Sequence, residues 1–122
     1  MTQILVVEDN LDYAEEMAEF LIELEHDVHI TNNASDMWIA LSHGNVGVVV
    51  LDLGLPDEDG FNVIPRMRQL YPQIGLLVLT GRVAFDNRIL GLRLALLPGV
   101  EFIVDNDDLP HPRVQGIDGA PL

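Results

Sequence analysis

The sequence predicts an α/β domain built on a doubly wound parallel sheet, and three observations predict it. Apolar runs at residues 4–7, 46–51 and 74–79 show no polar alternation, the pattern of strands covered on both faces. Between them lie stretches whose apolar residues recur at three and four residue steps, as along one side of a helix. The three runs also stop on polar residues, at Glu8 and Asp9, at Asp52, and at Thr80. Strands and helices in regular succession mean βα units and hence parallel strands.

Each element follows in order. Residues 4–7 form a first strand closed by Glu8 and Asp9. Asn10 is placed to cap a helix through its side-chain oxygen. Leu11, Ala14, Met17, Ala18, Leu21 and Leu24 then make an apolar stripe opposite Glu15, Glu16, Glu19 and Glu23. A second strand is expected over 28–31 and a second helix over 34–41, with Met37, Ala40 and Leu41 on one side. The β-branched run 46–51 is the third strand. The third helix is expected to start near Phe61 or Val63 and to end before Pro72, with Pro65 in its first turn, where a missing N–H costs least. A fourth strand over 74–79, a helix over 84–94 carrying Ile89, Leu90 and Leu92, and a fifth strand over 100–104 complete the pattern. Residues 107–122, DDLPHPRVQGIDGAPL, hold three Pro and two Gly without periodicity. The expected division is a domain over 1–106 and an irregular tail over 107–122.

Composition narrows the function. A 122-residue chain with 48% hydrophobic residues and a mean hydropathy of +0.23 suits one domain with its own core. Twenty acids against six basic residues give a formal net charge of −14, which disfavours nucleic acid or an anionic membrane as a direct partner and favours a cation or a basic protein surface. All six basic residues are Arg, so the chain holds no Lys, and it holds no Cys for a disulfide or a thiolate metal site. The N-terminal stretch lacks a basic flank and meets acids after four apolar residues, so neither a signal peptide nor a membrane span is read there, and cytoplasm is the expected location. The four histidines, His26, His29, His43 and His111, are scattered and expected at the surface, and Trp38 is expected to pack.

Ligands of doubly wound sheets bind beyond the carboxyl ends of the strands. Singly, Asp52 reads as a turn residue, Glu8 and Asp9 as a solvated strand end, and Thr80 as the start of a turn. Jointly, they fall on one rim of one sheet. Clustered carboxylates repel, and a hard, oxygen-preferring cation such as Mg²⁺ relieves that repulsion.

Four segments, ILVVEDN, VVVLDLGLPDEDGFNVI, LLVLTGR and RILGLRL, resemble those of the receiver domains of bacterial two-component response regulators, over about residue 3 to Leu94. The resemblance implies a flavodoxin-like five-stranded parallel sheet of order 2-1-3-4-5. It implies that Asp52 accepts a phosphoryl group, that Glu8, Asp9, Asp52 and the Gly54 carbonyl hold Mg²⁺, and that Thr80 contacts the phosphoryl group. The implied partners are a sensor histidine kinase or phosphotransfer protein and a further protein that receives the output; the module is not expected to be an enzyme.

Beyond Leu94 the pattern departs from the family's, which sets a Lys in the fifth strand to pair with the phosphoryl group. The unshifted register puts Phe102 there, and a slide of three or four residues puts Asp105 or Asn106 there. Weakened switching is the expected consequence, with a phosphorylation-independent interaction module as the alternative. A third reading, an Asp-nucleophile phosphohydrolase, needs a second Asp two residues on, where the chain has Gly54. The family's final helix is not legible. With that cover missing, an exposed apolar sheet face is expected and, through it, a homo-oligomer.

Overall fold

In an extended strand successive side chains point to opposite faces, so a strand with helices on both sides is apolar at every position. β1 (Gln3–Val7) and β3 (Val46–Asp52) obey this rule: residues 4–7 and 48–51 are buried without a break. The structure, a computed structural model, describes residues 3–80, 93, 99, 101–105 and 111–112. Besides β1 and β3 the elements are α1 (Leu11–Glu23), β2 (Asp27–Thr31), α2 (Ala34–Ser42), α3 (Gly60–Leu70), β4 (Gly75–Thr80), β5 (Glu101–Asp105) and β6 (His111–Pro112).

The sheet order is β2-β1-β3-β4-β5-β6, and the first five strands are all parallel. The five-stranded parallel sheet and its order are as the sequence predicts. β6 is an addition within the segment expected to be irregular: Ile103 pairs with His111 and Phe102 with Pro112, antiparallel. Pro112 has no N–H to donate, which is tolerated at a sheet edge and limits the length of such a pairing. The helix expected over 84–94 lies outside the described residues, apart from Arg93.

Alternation sorts the core into two layers. Leu5, Val7, Val49, Leu51, Leu76 and Val78 point to one face and pack with Met37 and Leu41 of α2 and Val63, Ile64 and Met67 of α3. Ile4, Val6, Val48, Val50 and Leu77 point to the other and pack with Ala14, Met17 and Leu21 of α1. Val48, Val50 and Leu77 are at most 2% exposed within the single chain. The open sheet face expected to drive oligomerisation is therefore not present among these residues.

Asn10 caps α1 as expected, its side-chain oxygen accepting from Tyr13 N at 3.2 Å. The stripe is shorter than expected. Ala14, Met17, Ala18 and Leu21 are buried, whereas Leu11 and Leu24, at its two ends, are exposed. α3 differs in its start. Asn62 N and Val63 N both donate to the Asp59 carbonyl, so the helix begins at Gly60 and Pro65 falls on its sixth residue rather than in the first turn. Pro65 lies on the exposed side of α3, where solvent can serve the carbonyl that proline leaves without a donor.

The end of α1 carries a local strain. His26 N donates to the Leu21 carbonyl and Glu25 N to the Ile22 carbonyl, closing the helix with Glu25 at φ 67°, the left-handed region that glycine adopts without cost. No basic residue stands in the last turn to balance the helix dipole. Glu25→Gly is expected to stabilise the fold by about 0.5–1 kcal/mol. Urea denaturation checks this through a higher midpoint at unchanged slope.

Candidate functional site

Register places the acids. Val7 pairs with Leu51, so the next residues along the two strands, Glu8 and Asp52, emerge side by side at the carboxyl ends of β1 and β3. Oxygen atoms of Glu8, Asp9 and Asp52 all lie within 4.8 Å of one another. Glu8 and Asp52 are half-buried and Asp9 is exposed. The backbone beneath them is pinned: Glu8 N donates to the Thr31 carbonyl at 3.0 Å, and Asn32 Nδ2 donates to the Glu8 carbonyl at 3.1 Å.

Burial pushes the Glu8 carboxyl up to about 8, helped by a hydrogen bond to Asp52, by the charge of Asp52 and by a hydrogen bond to Asp9, and opposed by the Asn10 N–H. That N–H reaches Glu8 Oε2 at 3.2 Å. A Glu8 carboxyl raised in this way lowers the negative charge gathered at the three-carboxyl site near neutral pH. A small crevice lined by Tyr13, Met17 and Leu79 lies against Glu8 and Asp52.

Asp52 is turned by the loop that follows it. Gly54 N donates to Asp52 Oδ1 at 3.1 Å, and Leu53 N donates to the Leu79 carbonyl at 3.3 Å. The donor set is all oxygen, it is preorganised, and one of its members stays open to solvent. That chemistry fits a hard divalent cation that keeps part of its water shell.

Thr80 ends β4 and pairs in register with Asp105 of β5. The backbone thus brings Thr80 to the same rim as Asp52, which pairs with Leu79 one step earlier. The side chain of Thr80 lies outside the described part. The register also settles which residue of β5 stands beside Thr80: it is Asp105, while Phe102 pairs with Leu77 farther down the strand.

The loop after Asp52 holds residues that local sequence reasoning missed. Asp57 accepts from Ala34 N at 2.8 Å and from Ser35 N at 3.0 Å, at the start of α2. Those two bonds hold its carboxyl below the usual range. Glu58 accepts from Trp38 Nε1 at 3.1 Å and from Arg66 at 3.0 Å, with the Arg66 guanidinium 4.4 Å from the centre of the Trp38 ring. Trp38 packs against the core as expected, and its indole N–H has a partner besides. The partners on α2 stand 20 to 23 residues from Asp57 and Glu58 in the chain, beyond the reach of any periodicity.

The sequence profile described as response regulator receiver domain matches residues 4–96. Over 86 residues the chain is 32% identical to the DNA-binding transcriptional regulator NtrC of Rhizobium meliloti, which covers 70% of this chain and 18% of that protein. It is 34% identical over 89 residues to the virulence transcriptional regulatory protein PhoP of Salmonella choleraesuis, covering 73% of this chain and 40% of that one. The chain thus spans less than half the length of these curated relatives. Among solved structures, the response regulator TrrA of Thermotoga maritima in complex with Mg²⁺ and a beryllium fluoride superposes with a TM-score of 0.67 at 24% identity, covering 88% of each chain. TrrA has also been solved with the histidine kinase ThkA. With a parallel sheet of order 2-1-3-4-5, an acidic rim and this match, the chain belongs to the receiver domain family of two-component response regulators, a signalling module. No helix among the described residues is long and apolar enough to cross a membrane.

Proposed function

We propose that Asp52 accepts a phosphoryl group from the phosphohistidine of a sensor kinase or phosphotransfer protein, in a reaction that depends on Mg²⁺. The observation that carries this reading is the convergence of the Glu8, Asp9 and Asp52 oxygens within 4.8 Å at the ends of two adjacent strands. When bound, Mg²⁺ supplies charge neutralisation between the incoming phosphoryl oxygens and the carboxylates. Glu8, Asp9, Asp52 and the Gly54 carbonyl are the residues that would hold it. Asp52 is the nucleophile: a carboxylate oxygen forms the new bond to phosphorus while the phosphorus–nitrogen bond of the donor breaks and the imidazole, protonated on its other ring nitrogen, leaves as the neutral ring, giving an acyl phosphate. The Gly54 N–H orients the carboxylate, and Glu8 would hold the cation in its ionised form. Thr80, at the same rim, is assigned to contact the new phosphoryl oxygens. Incubation with acetyl phosphate tests the reading. Intact mass is expected to show one added phosphoryl group with Mg²⁺ and none with a chelator; an unlabelled protein under both conditions refutes it.

A second reading is favoured by one observation, the pairing of Thr80 with Asp105 in a chain that has no Lys. A cation at the end of β5 would draw the phosphoryl group and Thr80 together, and a chain without Lys has no such residue to supply it. On this reading output is weakened, and the module signals through contacts that do not depend on phosphorylation. The two separate in one measurement: amide shifts along β4 and β5 on phosphorylation are large for a switching receiver and small for an interaction module.

A further inference from the structure

We propose that Asp57 and Glu58 are positioning residues that clamp the loop following Asp52 between α2 and α3, and thereby set the cation affinity of the acidic site. The inference rests on the reading of that site as a cation-dependent phosphoryl acceptor.

The loop has few bonds of its own. Its first half is tied to β4 by Leu53 N and to Asp52 by Gly54 N. Its second half is tied to other elements through the side chains of Asp57 and Glu58. Asp57 takes the N–H groups of Ala34 and Ser35, two of the donors that a helix start leaves free. α2 does not need Asp57 as its sole cap, because Asn33 already serves Asp36 N at 2.8 Å and its carbonyl serves Met37 N. The bonds of Asp57 therefore fix the loop to the helix as much as they finish the helix. Glu58 repeats the arrangement one residue on, bridging the indole of Trp38 on α2 and the guanidinium of Arg66 on α3. Arg66 covers the ring of Trp38, which closes the bridge into a ring of three side chains from three elements.

Gly54 stands between the two anchored halves, and it offers both the N–H that turns Asp52 and the carbonyl assigned to the cation. Releasing the second half lets that peptide drift, and cation sites lose affinity by about 10–100-fold when the groups that orient their ligands are removed. The coupling runs both ways: a cation that tightens the Gly54 peptide also acts on Trp38, the one Trp of the chain.

The test is a Mg²⁺ titration followed by ¹⁵N NMR at the Gly54 amide and the Trp38 indole N–H, in the full chain, for wild type, Asp57→Ala, Glu58→Ala and Asn33→Ala. Asn33→Ala removes a cap from the same helix without touching the loop, so it reports what mere loss of α2 stability does. The expected result is a half-saturating Mg²⁺ concentration raised about tenfold in Asp57→Ala and Glu58→Ala and unchanged in Asn33→Ala, with the Trp38 indole resonance moving along with Gly54 in wild type. Unchanged affinity in Asp57→Ala and Glu58→Ala overturns the proposal, as does an equal loss in Asn33→Ala. Should Asp57→Ala fail to fold, Glu58→Ala against Asn33→Ala decides by the same criterion. A wild type that does not respond to Mg²⁺ removes the acidic site's proposed function and the clamp with it; a responsive wild type with indifferent variants removes the clamp alone.

Discussion

Asp52→Asn is expected to lose the phosphoryl label entirely and, with a chelator present above about pH 8, to be more stable than wild type by roughly 1 kcal/mol. The two effects have opposite signs because Asp52 serves a site that strains the fold. The Asn amide is no nucleophile, so no acyl phosphate forms. Its carbonyl can still accept the Gly54 N–H, so the turn after β3 survives. What disappears is a negative charge beside Glu8 and Asp9, whose oxygens lie within 4.8 Å. Adding Mg²⁺ is expected to stabilise wild type far more than Asp52→Asn and to cancel or reverse the order of the two melting temperatures. Thermal melts with and without Mg²⁺, read beside intact mass after acetyl phosphate, check both halves. A variant that keeps the label places the acceptor elsewhere.

Proton linkage gives the second large effect. The Glu8 carboxyl ordinarily titrates at 4.5 and in the fold is raised to about 8, chiefly by burial and by Asp52. Below 4.5 both folded and unfolded chains carry the proton, and the contribution of Glu8 to stability is fully present. As pH rises past that value the unfolded chain releases its proton while the folded chain keeps it. The folded state then binds more protons, so the free energy of unfolding falls with pH until about 8, where Glu8 ionises in the fold too. Half-burial screens the charge, and the loss across this window is expected to be roughly 1–2 kcal/mol rather than the full linkage value. A cation needs the ionised carboxylate, so Mg²⁺ affinity rises through the same window. Melts at several pH values in chelator and in Mg²⁺ check this. Glu8→Gln is expected to flatten the pH dependence seen in chelator and to weaken the Mg²⁺ response. An equal pH dependence in wild type and variant would rule out Glu8 as the linked group.

The parts legible in the sequence are those that repeat at short range. The unbroken apolar runs of β1 and β3 announce burial on both faces, and the polar residues that stop them announce the rim. Asn10 at the start of α1 is a local cap, visible three residues from its partner. Pro65 misled because a proline is normally read as a boundary, whereas the carbonyl of Asp59 starts α3 early and solvent tolerates the missing bond. β6 was illegible because two residues at an edge have no period. The position of Asp105 could not be fixed by counting from β4, since only the β4–β5 pairing aligns it with Thr80. Asp57 and Glu58 gave no signal because their partners are made adjacent by packing rather than by sequence.

The strand order β2-β1-β3 carries a kinetic consequence. Glu8 and Asp52 become neighbours only after β1 and β3 have paired across the whole β1–α1–β2–α2 segment, a long loop whose closure must precede any reward from the contact. A transition state in which that rim is still unformed offers a divalent cation nothing to hold. The cation then acts as a brake on the return journey: it slows unfolding while leaving the refolding rate nearly unchanged, so the lifetime of the native state, more than the speed of reaching it, follows the supply of Mg²⁺.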